Sequence, residues 1–279
     1  MQASRFEQKY LISEETAQQV RDFVQSYLEL DENGVGKPDF SYPVHSLYLD
    51  SEDFKLYWST INGDKNRFKL RLRFYNDNPD TPVFFEIKRR MNNCITKQRG
   101  GARREAVERL LAGHLPDPAD LVGVTKDLRH LHALERFCQL MQGIRALPRV
   151  HVGYLREAYV PHDDNSARLT MDRRVQVETR LTPHLVTQMD QPVPVWGREV
   201  VLELKFTNRF PEWFRKLVQV FGLRQRGAAK YVDGVELLED FGLSPRHSLE
   251  TRAGAAGRRE VVLQNSDVGT NLIHKDVSP

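Results

Sequence analysis

A stretch of alternating charged and apolar residues constrains the fold of this 279-residue chain more than any other feature. In "RFKLRLRFY", residues 67–75, basic residues occupy every second position up to Arg73, with a hydrophobic residue after each. A β-strand directs successive side chains to opposite faces, so this strand has one cationic face and one apolar face. The chain must therefore build a sheet whose two faces have different surroundings.

The same alternation recurs in other segments. Glu86, Lys88 and Arg90 share one face of "VFFEIKRR", and Glu203 and Lys205 share one face of "VVLELKF". Similar polar faces carry Arg5, Glu7 and Lys9, then Tyr154 and Arg156, and then Arg168, Thr170 and Asp172. A single strand of this kind is typical of a half-exposed antiparallel sheet with its polar face in water.

Taken together, the polar faces favour a different interpretation. Like charges on neighbouring strands repel, so a sheet face rich in arginine and lysine needs an anion to stabilise it. A sheet closed into a barrel with these faces inward would collect the cations in one lumen. Guanidinium groups bind phosphate oxygens bidentately, lysine supplies compact positive charge, and carboxylates hold divalent metals. The pattern predicts a site for a dense polyanion such as triphosphate.

The remaining segments indicate an antiparallel α+β architecture, because helical and strand-like runs do not alternate as regular βαβ units. Ser13 is a suitable N-cap for a helix over residues 13–30. Pro211 and Gly222 bracket a second helix, and residues 103–147 are largely helical. Further strands are predicted over 44–51, 67–75, 83–90, 149–160, 167–179 and 198–206. Residues 1–243 form one domain, and residues 244–279 lose hydrophobic periodicity, which predicts a flexible tail.

Composition narrows the function classes. The formal net charge of +3 does not favour a nucleic-acid partner. Two cysteines cannot build a disulfide framework and indicate a reducing compartment. The N-terminus lacks a signal-peptide apolar region, and no run reaches the roughly 18 apolar residues of a membrane span. We expect a cytoplasmic protein without membrane insertion, which would need a membrane-protein partner to work at a membrane.

The chain resembles the VTC-domain polyphosphate polymerases, which belong to the triphosphate tunnel (CYTH-like) superfamily. The resemblance covers residues 4–242 and is carried by motifs in the family's order: "RFEQKY", "YLDS", "KLRLR", "FFEIKRR", "YLREAY", "LELKF" and "AAKYVDG". It implies an antiparallel β-barrel tunnel of about eight strands with helices packed outside. It also implies an enzyme that uses ATP and Mn²⁺ or Mg²⁺ to extend an inorganic polyphosphate chain.

The resemblance assigns site residues position by position. The residues expected to act in phosphoryl transfer are Arg71, Arg73, Lys88, Arg156 and Lys230. Those expected to bind substrate phosphates are Lys9, Lys69, Arg90, Lys97, Tyr154, Arg168 and Lys205. Glu203 matches the metal-coordinating glutamate of the family.

Two departures from the family pattern leave the activity open. Tunnel triphosphatases typically begin with E-x-E-x-K, whereas Arg5 stands here in place of the first glutamate, which disfavours a metal-dependent hydrolase. Ala229 stands where VTC domains often carry a serine before the late lysine, which removes one hydroxyl contact. The alternatives are a tunnel triphosphatase that hydrolyses inorganic or nucleoside triphosphate, and a non-catalytic sensor that binds polyphosphate or nucleotide. The products formed from ATP and Mn²⁺ distinguish the three.

Overall fold

The computed structural model describes residues 5–92, 94–123, 127–162, 166–240 and 242–243. They lie in the first of two units of the chain, Met1–His247; the predicted tail over 244–279 lies outside the described residues. The helices are α1 Glu14–Val24, α2 Lys55–Ile61, α3 Ala106–Leu111, α4 Leu128–Gly143, α5 Glu212–Val220 and α6 Lys230–Glu239. The strands are β1 Arg5–Ile12, β2 Glu29–Leu30, β3 Ser41–Asp50, β4 Asn66–Phe74, β5 Val83–Met91, β6 Cys94–Ala102, β7 Leu147–Val160, β8 Ala167–Thr179, β9 Val193–Pro194 and β10 Val200–Thr207.

Local sequence signals explain where several elements begin and end. Ser13 caps α1 as predicted, with its Oγ accepting the Thr16 amide at 3.1 Å, but the helix ends at Val24 and not near residue 30. Gly222 lies just past α5 with a φ of 56°, a left-handed conformation that glycine adopts without strain. The predicted strands are confirmed with shifts of a few residues at their ends.

All the strands form one antiparallel sheet in the order β1-β10-β8-β7-β3-β4-β5-β6, with β2 on β7 and β9 on β8. The sheet is strongly curled. Five strands separate β1 from β5 in the sheet order, yet Lys88 Nζ of β5 lies 3.3 Å from Glu7 Oε2 of β1. We call the space on this inner face the lumen. The α+β class and the antiparallel sheet are confirmed.

The prediction of a closed barrel of about eight strands is wrong. The sheet has ten strands, and in the described part of the chain no ladder joins β1 to β6. Helix α4 packs against β6, and one backbone donor of this edge strand bonds to the helix and not to another strand. The Gly101 amide donates to His130 Nδ1 at 3.0 Å, so this backbone donor is already satisfied.

Two hydrophobic clusters cover the outside of the sheet, as predicted. Helices α3 and α4 pack on the apolar faces of β3, β4 and β5, where Phe137 meets Phe85 edge-on at 5.1 Å between ring centroids. Helices α1 and α5 pack on β1, β8 and β10. Leu70 and Leu72 of β4 are fully buried in the first cluster, so the apolar face of the alternating strand does face the helices.

The prediction that all helices lie outside is also wrong. Helix α6 forms a third apolar cluster on the inner face, where Tyr231 and Val235 share the cluster with Val44 and Val201. Helix α2 contributes Tyr57 to this cluster and Leu56 to the first one. The inner face changes character along the strands. On β10, Val201 lies in this apolar cluster, and Glu203, two residues later on the same face, lies in the charged part. The cations of the described chain that form ion pairs with Glu203, Asp172 and Glu86 lie in the other half, so the helices fill one part of the lumen and leave this charged part available.

The close approach of α4 to β6 gives a stability prediction. A Cβ at Gly100 would lie 2.7 Å from the His130 carbonyl oxygen and 2.8 Å from the Leu134 amide nitrogen, both backbone atoms. We expect Gly100→Ala to lower the free energy of unfolding by about 1–3 kcal/mol through overpacking. Gly143→Ala is the control, because nothing lies within 4 Å of a Cβ there and the backbone is helical. Equal urea-denaturation midpoints for the two variants would contradict this packing.

Candidate functional site: a charged lumen

The basic residues of β4 face the lumen, as the alternation predicts. Arg71 NH1 donates to the Tyr48 hydroxyl at 3.0 Å, and its Nε donates to Glu86 Oε2 at 2.8 Å. Arg73 is almost fully buried, with 4% of its surface exposed. A buried cation requires a neighbouring carboxylate or a bound anion. The carboxylates of the lumen therefore show which of its cations are already neutralised by the protein.

Glu203 is the carboxylate with the most cationic neighbours. Its Oε1 lies 3.1 Å from Lys9 Nζ and 3.2 Å from Lys230 Nζ, and its Oε2 lies 2.6 Å from Lys205 Nζ. Arg156 NH2 is 3.9 Å from the same Oε2. Burial opposes ionisation, yet Lys205, Lys230 and Lys9 outweigh it and hold the pKa of Glu203 well below its usual range. The carboxylate is therefore ionised at neutral pH.

Asp172 on β8 forms a second centre. Arg156 binds it bidentately, with Nε 2.7 Å from Oδ1 and NH2 2.8 Å from Oδ2. Lys230 Nζ lies 2.7 Å from the same Oδ2 and so bridges Asp172 and Glu203. Lys230 is the first residue of α6, so the packing of that helix determines where its ammonium group lies. Despite burial, Arg156 and Lys230 lower the pKa of Asp172 to about 2.

Glu86 on β5 forms a third centre on the opposite wall. Besides Arg71, it accepts Lys97 Nζ at 2.7 Å and lies 3.4 Å from Arg99 Nε. Glu7 links the walls, since its two oxygens lie 3.1 Å from Lys9 Nζ and 3.3 Å from Lys88 Nζ. The lumen is thus lined by two ionic networks: one around Glu86 joins β4, β5 and β6, and the other runs from β5 through β1 and β10 to α6 and β8.

Tyr154 lies among three of the predicted cations. Its ring centroid is 5.0 Å from Lys230 Nζ, 5.2 Å from Arg156 Cζ and 5.9 Å from Arg73 Cζ. Cations at these distances from an aromatic face are attracted by the ring quadrupole. The tyrosine therefore holds side chains from β4, β7 and α6 near one another.

Two cations of the lumen have no carboxylate partner among the described residues. Arg73 makes no salt bridge there, and its buried Nε has no hydrogen-bond partner in that part of the chain. Lys69 Nζ lies 5.8 Å from the Tyr231 ring centroid and likewise forms no ion pair. A buried unpaired guanidinium destabilises a folded protein, which is the expected signature of a site that receives its anion from outside.

The remaining predicted residues lie at the margins. Lys88 and Lys97 are 43% and 49% exposed at the open side of the lumen. Arg168 NH2 pairs with Asp31 Oδ2 at 2.7 Å. Arg90 is exposed, and its Nε donates to the Asn92 carbonyl at 2.9 Å, so it is not drawn into either network. Sequence analysis placed Glu86 and Asp172 on the charged faces among carboxylates suited to a divalent metal, but gave them no individual role. It gave no site role to Tyr48 or Arg99, and it did not predict strand β6, which carries Arg99.

The carboxylates fit a divalent cation only together with phosphate. Among the described residues, no three histidine, cysteine, aspartate or glutamate side chains converge to hold a metal ion alone. Mg²⁺ commonly binds through one or two carboxylates plus substrate phosphates, and Glu203 with its neighbour Glu7 can supply that share. Glu203 remains the predicted metal ligand, and Mn²⁺ or Mg²⁺ the predicted ion.

Two lumen groups with lowered pKa values, Lys69 and Tyr48, give a pH prediction. Burial and nearby cations lower the pKa of Lys69 to about 8, and Arg71, Arg73 and Lys69 overcome burial to lower the pKa of Tyr48 to about 8. A bound polyanion favours the protonated form of both groups, so binding at pH 8 takes up protons. We expect affinity for tripolyphosphate to fall between pH 7 and pH 9, approaching about tenfold per pH unit for each group above its pKa.

The measurement is calorimetric titration with tripolyphosphate in buffers of different ionisation enthalpy. Lys69→Met is the matched variant, because it removes one of the two titrating groups and should reduce the proton uptake at pH 8. An uptake of zero in the unsubstituted protein would contradict the prediction.

The fold and the site define a class of protein in which an antiparallel sheet curls around an arginine- and lysine-rich lumen. The chain belongs to the VTC domain family, whose family model matches residues 4–239. With the family match, this architecture supports a tunnel protein that binds polyphosphate or nucleotide. Among solved structures, the "putative adenylate cyclase" of Bacillus halodurans is similar to it, at 15% identity and a TM-score of 0.44. The alignment covers 82% of this chain and 96% of that one. No curated protein matched.

None of the helices in the described ranges is long and apolar enough to cross a membrane.

Proposed function

We propose that the protein is a metal-dependent polyphosphate polymerase that transfers the γ-phosphoryl group of ATP to a growing inorganic polyphosphate chain. The observation that carries the proposal is the convergence of cations from β1, β4, β5, β7, β10 and α6 on one lumen. Arg73 and Lys69 lack a carboxylate partner in the described chain, so the lumen has a local excess of positive charge. Such an excess fits a substrate and a product that are both polyanions.

Each group has a role in this proposal. Phosphoryl transfer depends mainly on positioning and charge stabilisation, so no nucleophilic side chain is required. Arg71, Arg73 and Arg156 would hold phosphate oxygens, with Lys88 and Lys230 supplying compact charge. Further phosphate contacts are proposed for Lys9, Lys69, Arg90, Lys97, Tyr154, Arg168 and Lys205. Mn²⁺ or Mg²⁺, held by Glu203 and phosphate oxygens, would neutralise charge on the transferred group.

The distribution of exposure favours a chain over a compact anion. Lys88 and Lys97 are about half exposed, whereas Arg156 and Lys230 are 15% and 9% exposed deeper in the lumen. A polymer that reaches from the open side to the buried end would meet cations along its whole length. The terminal phosphate of that polymer would be the acceptor, and ADP the leaving product.

The test is incubation with ATP and Mn²⁺ followed by gel electrophoresis of the products. Long polymer supports the polymerase, free phosphate alone indicates the tunnel triphosphatase, and binding without turnover indicates the sensor. Chelation of the metal should stop synthesis. Arg71→Ala should also abolish it, whereas Arg104→Met on the outer side, which removes contacts to the Leu185 and Asn76 carbonyls, should not. Full synthesis by Arg71→Ala would refute the site assignment.

The proposed partners are ATP and inorganic polyphosphate, not nucleic acid. We propose a cytoplasmic location, where ATP is supplied, and a membrane-protein partner if the polymer is delivered to a membrane. Co-purification of an integral membrane protein with the native chain would test the second point.

A further inference from the structure

Asp50, at the end of β3, is a buried carboxylate that phosphoryl transfer does not use. It is fully buried and forms no ion pair within the described residues. Its oxygens accept the amides of Ser51 and Leu56 at 2.8 Å each and the amide of Tyr57 at 2.9 Å. The Tyr231 hydroxyl donates to its Oδ2 at 2.6 Å. Asp50 therefore ties β3 to both inner helices.

The contact with α2 replaces a missing helix cap. Phe54 occupies the N-cap position with a left-handed φ of 56° and offers no side-chain acceptor. The first amides of a helix have no partner within the helix, and here Asp50 accepts two of them. A carboxylate from the strand thus fixes the start of α2, against which α6 packs.

The contact of Asp50 with α6 is linked to the charged half of the lumen by the ring of Tyr231. Tyr231 stacks on Tyr48 with centroids 4.8 Å apart and planes inclined by 19°. The Tyr48 hydroxyl accepts from Arg71 NH1 at 3.0 Å. Asp50, Tyr231, Tyr48 and Arg71 therefore form one chain of contacts from the apolar half of the inner face to a predicted phosphate ligand.

The same tyrosine also controls the first turn of α6. Lys230 precedes it in the chain, and its ammonium group bridges Asp172 and Glu203. Ala229, the N-cap residue of α6, provides no side-chain cap, so the Tyr231 hydroxyl bond is a specific polar anchor at the start of this helix. Displacement of Tyr231 would move Lys230 away from the two carboxylates.

We propose that Asp50 is a positioning residue which, through the hydroxyl of Tyr231, holds the Lys230 ammonium and the Arg71 guanidinium in their phosphate-binding positions. This inference rests on the proposed function, because it assumes that these two cations receive phosphate. Asp50 itself does not touch the lumen cations and has no direct contact with the expected substrate.

The test uses Tyr231→Phe in the full chain, with tripolyphosphate binding measured by calorimetry. Asp50→Ala is less suitable, because it leaves three buried amides without an acceptor and can unfold the protein. Tyr231→Phe removes only the hydroxyl and keeps the stacked ring. We expect its affinity for tripolyphosphate to fall by about threefold to tenfold, the usual effect of one lost hydrogen bond.

The matched control is Tyr159→Phe. Tyr159 is also buried, and its hydroxyl donates to the buried carboxylate of Glu157 at 2.7 Å, but on the outer face beneath α1. Both substitutions should lower thermal stability to a similar extent, whereas only Tyr231→Phe should weaken binding. Thermal denaturation of both variants therefore separates a loss of stability from a loss of positioning.

A double-mutant cycle tests whether the effect passes through the proposed cations. In a Lys230→Met, Arg71→Met background, Tyr231→Phe should cause no further loss of affinity. An undiminished loss in that background would overturn the inference, as would equal affinities of Tyr231→Phe and the unsubstituted protein. If the unsubstituted protein fails to bind tripolyphosphate, the proposed function fails, and this inference fails with it.

Discussion

Glu203→Gln is expected to abolish polyphosphate synthesis and, at the same time, to tighten the binding of tripolyphosphate. The substitution keeps the shape of the side chain but removes the negative charge that lies within 3.2 Å of Lys9, Lys205 and Lys230. The three ammonium groups then become available to phosphate oxygens. Even at a separation of about 10 Å and an effective dielectric constant near 20, one charge removed is worth about 1.7 kcal/mol, slightly more than tenfold in affinity, and phosphate at these ammonium groups lies closer.

Synthesis should fall although binding improves, because the variant loses the proposed ligand of the divalent metal. Removal of one group that stabilises transition-state charge typically costs about 10²-fold to 10³-fold in rate. The free variant should also be less stable, since buried ammonium groups lose their shared anion, and tripolyphosphate should raise its melting temperature more than that of the parent. Calorimetry, melting curves and gel analysis of products measure the three effects.

Glu157→Gln is the matched control for this experiment. Glu157 is a fully buried glutamate on the outer face, bound by Arg21 at 2.7 Å and by Arg173 at 2.6 Å. Its replacement should reduce stability and leave both affinity and synthesis unchanged. If Glu203→Gln kept full synthesis, Glu203 would not be the metal ligand; if both variants gained affinity, the gain would not come from the lumen.

The face of each strand could be predicted from the sequence, because the period of two is a local property of the backbone. Leu70 and Arg71 lie on opposite faces whatever the rest of the chain does, and the structure places Leu70 against the outer helices. The conclusion that the charged face is the inner one required the whole set of strands. That conclusion came from the repulsion among like charges on neighbouring strands, which calls for a bound anion. The β-propensity of a single strand contains no such information.

The open edge of the sheet could not be predicted in the same way. One backbone donor of β6, the Gly101 amide, bonds to His130 of α4, and these residues are brought together only by the tertiary fold. The predicted site residues gave no sign of this contact. A resemblance to a tunnel family favoured closure, but backbone pairing between the first and last strands depends on their positions in the tertiary fold, and no ladder joins them in the described chain.

The inner position of α6 left a signal that sequence reasoning did not use. Tyr231, Val232, Val235 and Leu238 recur at helical spacing, and all are buried. Such a stripe predicts a helix with a packed face, but not the side of the sheet on which it packs. The ion pairs could be predicted even less well. Glu7 and Lys88 lie on strands far apart in the sheet order and meet because the sheet curls.

Arg73→Met is expected to stabilise the free protein while it weakens the binding of tripolyphosphate. Arg73 is 4% exposed, its Nε has no hydrogen-bond partner among the described residues, and no carboxylate there forms a salt bridge with it. Its charge does help to lower the pKa of Glu86, but that carboxylate is already paired with Arg71 and Lys97. Replacing a buried unpaired charge by an apolar side chain of similar length removes a desolvation cost, and we expect a gain of about 1 kcal/mol or more in the free energy of unfolding. Function and stability therefore oppose each other at this position.

The loss of binding should be large, because Arg73 is free to form charge-assisted hydrogen bonds with phosphate. Such bonds are worth about 1.5–3 kcal/mol, which corresponds to about tenfold to 150-fold in affinity. Arg71→Met is the informative comparison, since Arg71 is bound to Glu86 and Tyr48 and its removal should lower both affinity and stability. Urea denaturation and calorimetry of the two variants provide the measurement. If Arg73→Met lost as much stability as Arg71→Met, Arg73 would have a structural partner, and its assignment as an open phosphate ligand would be wrong.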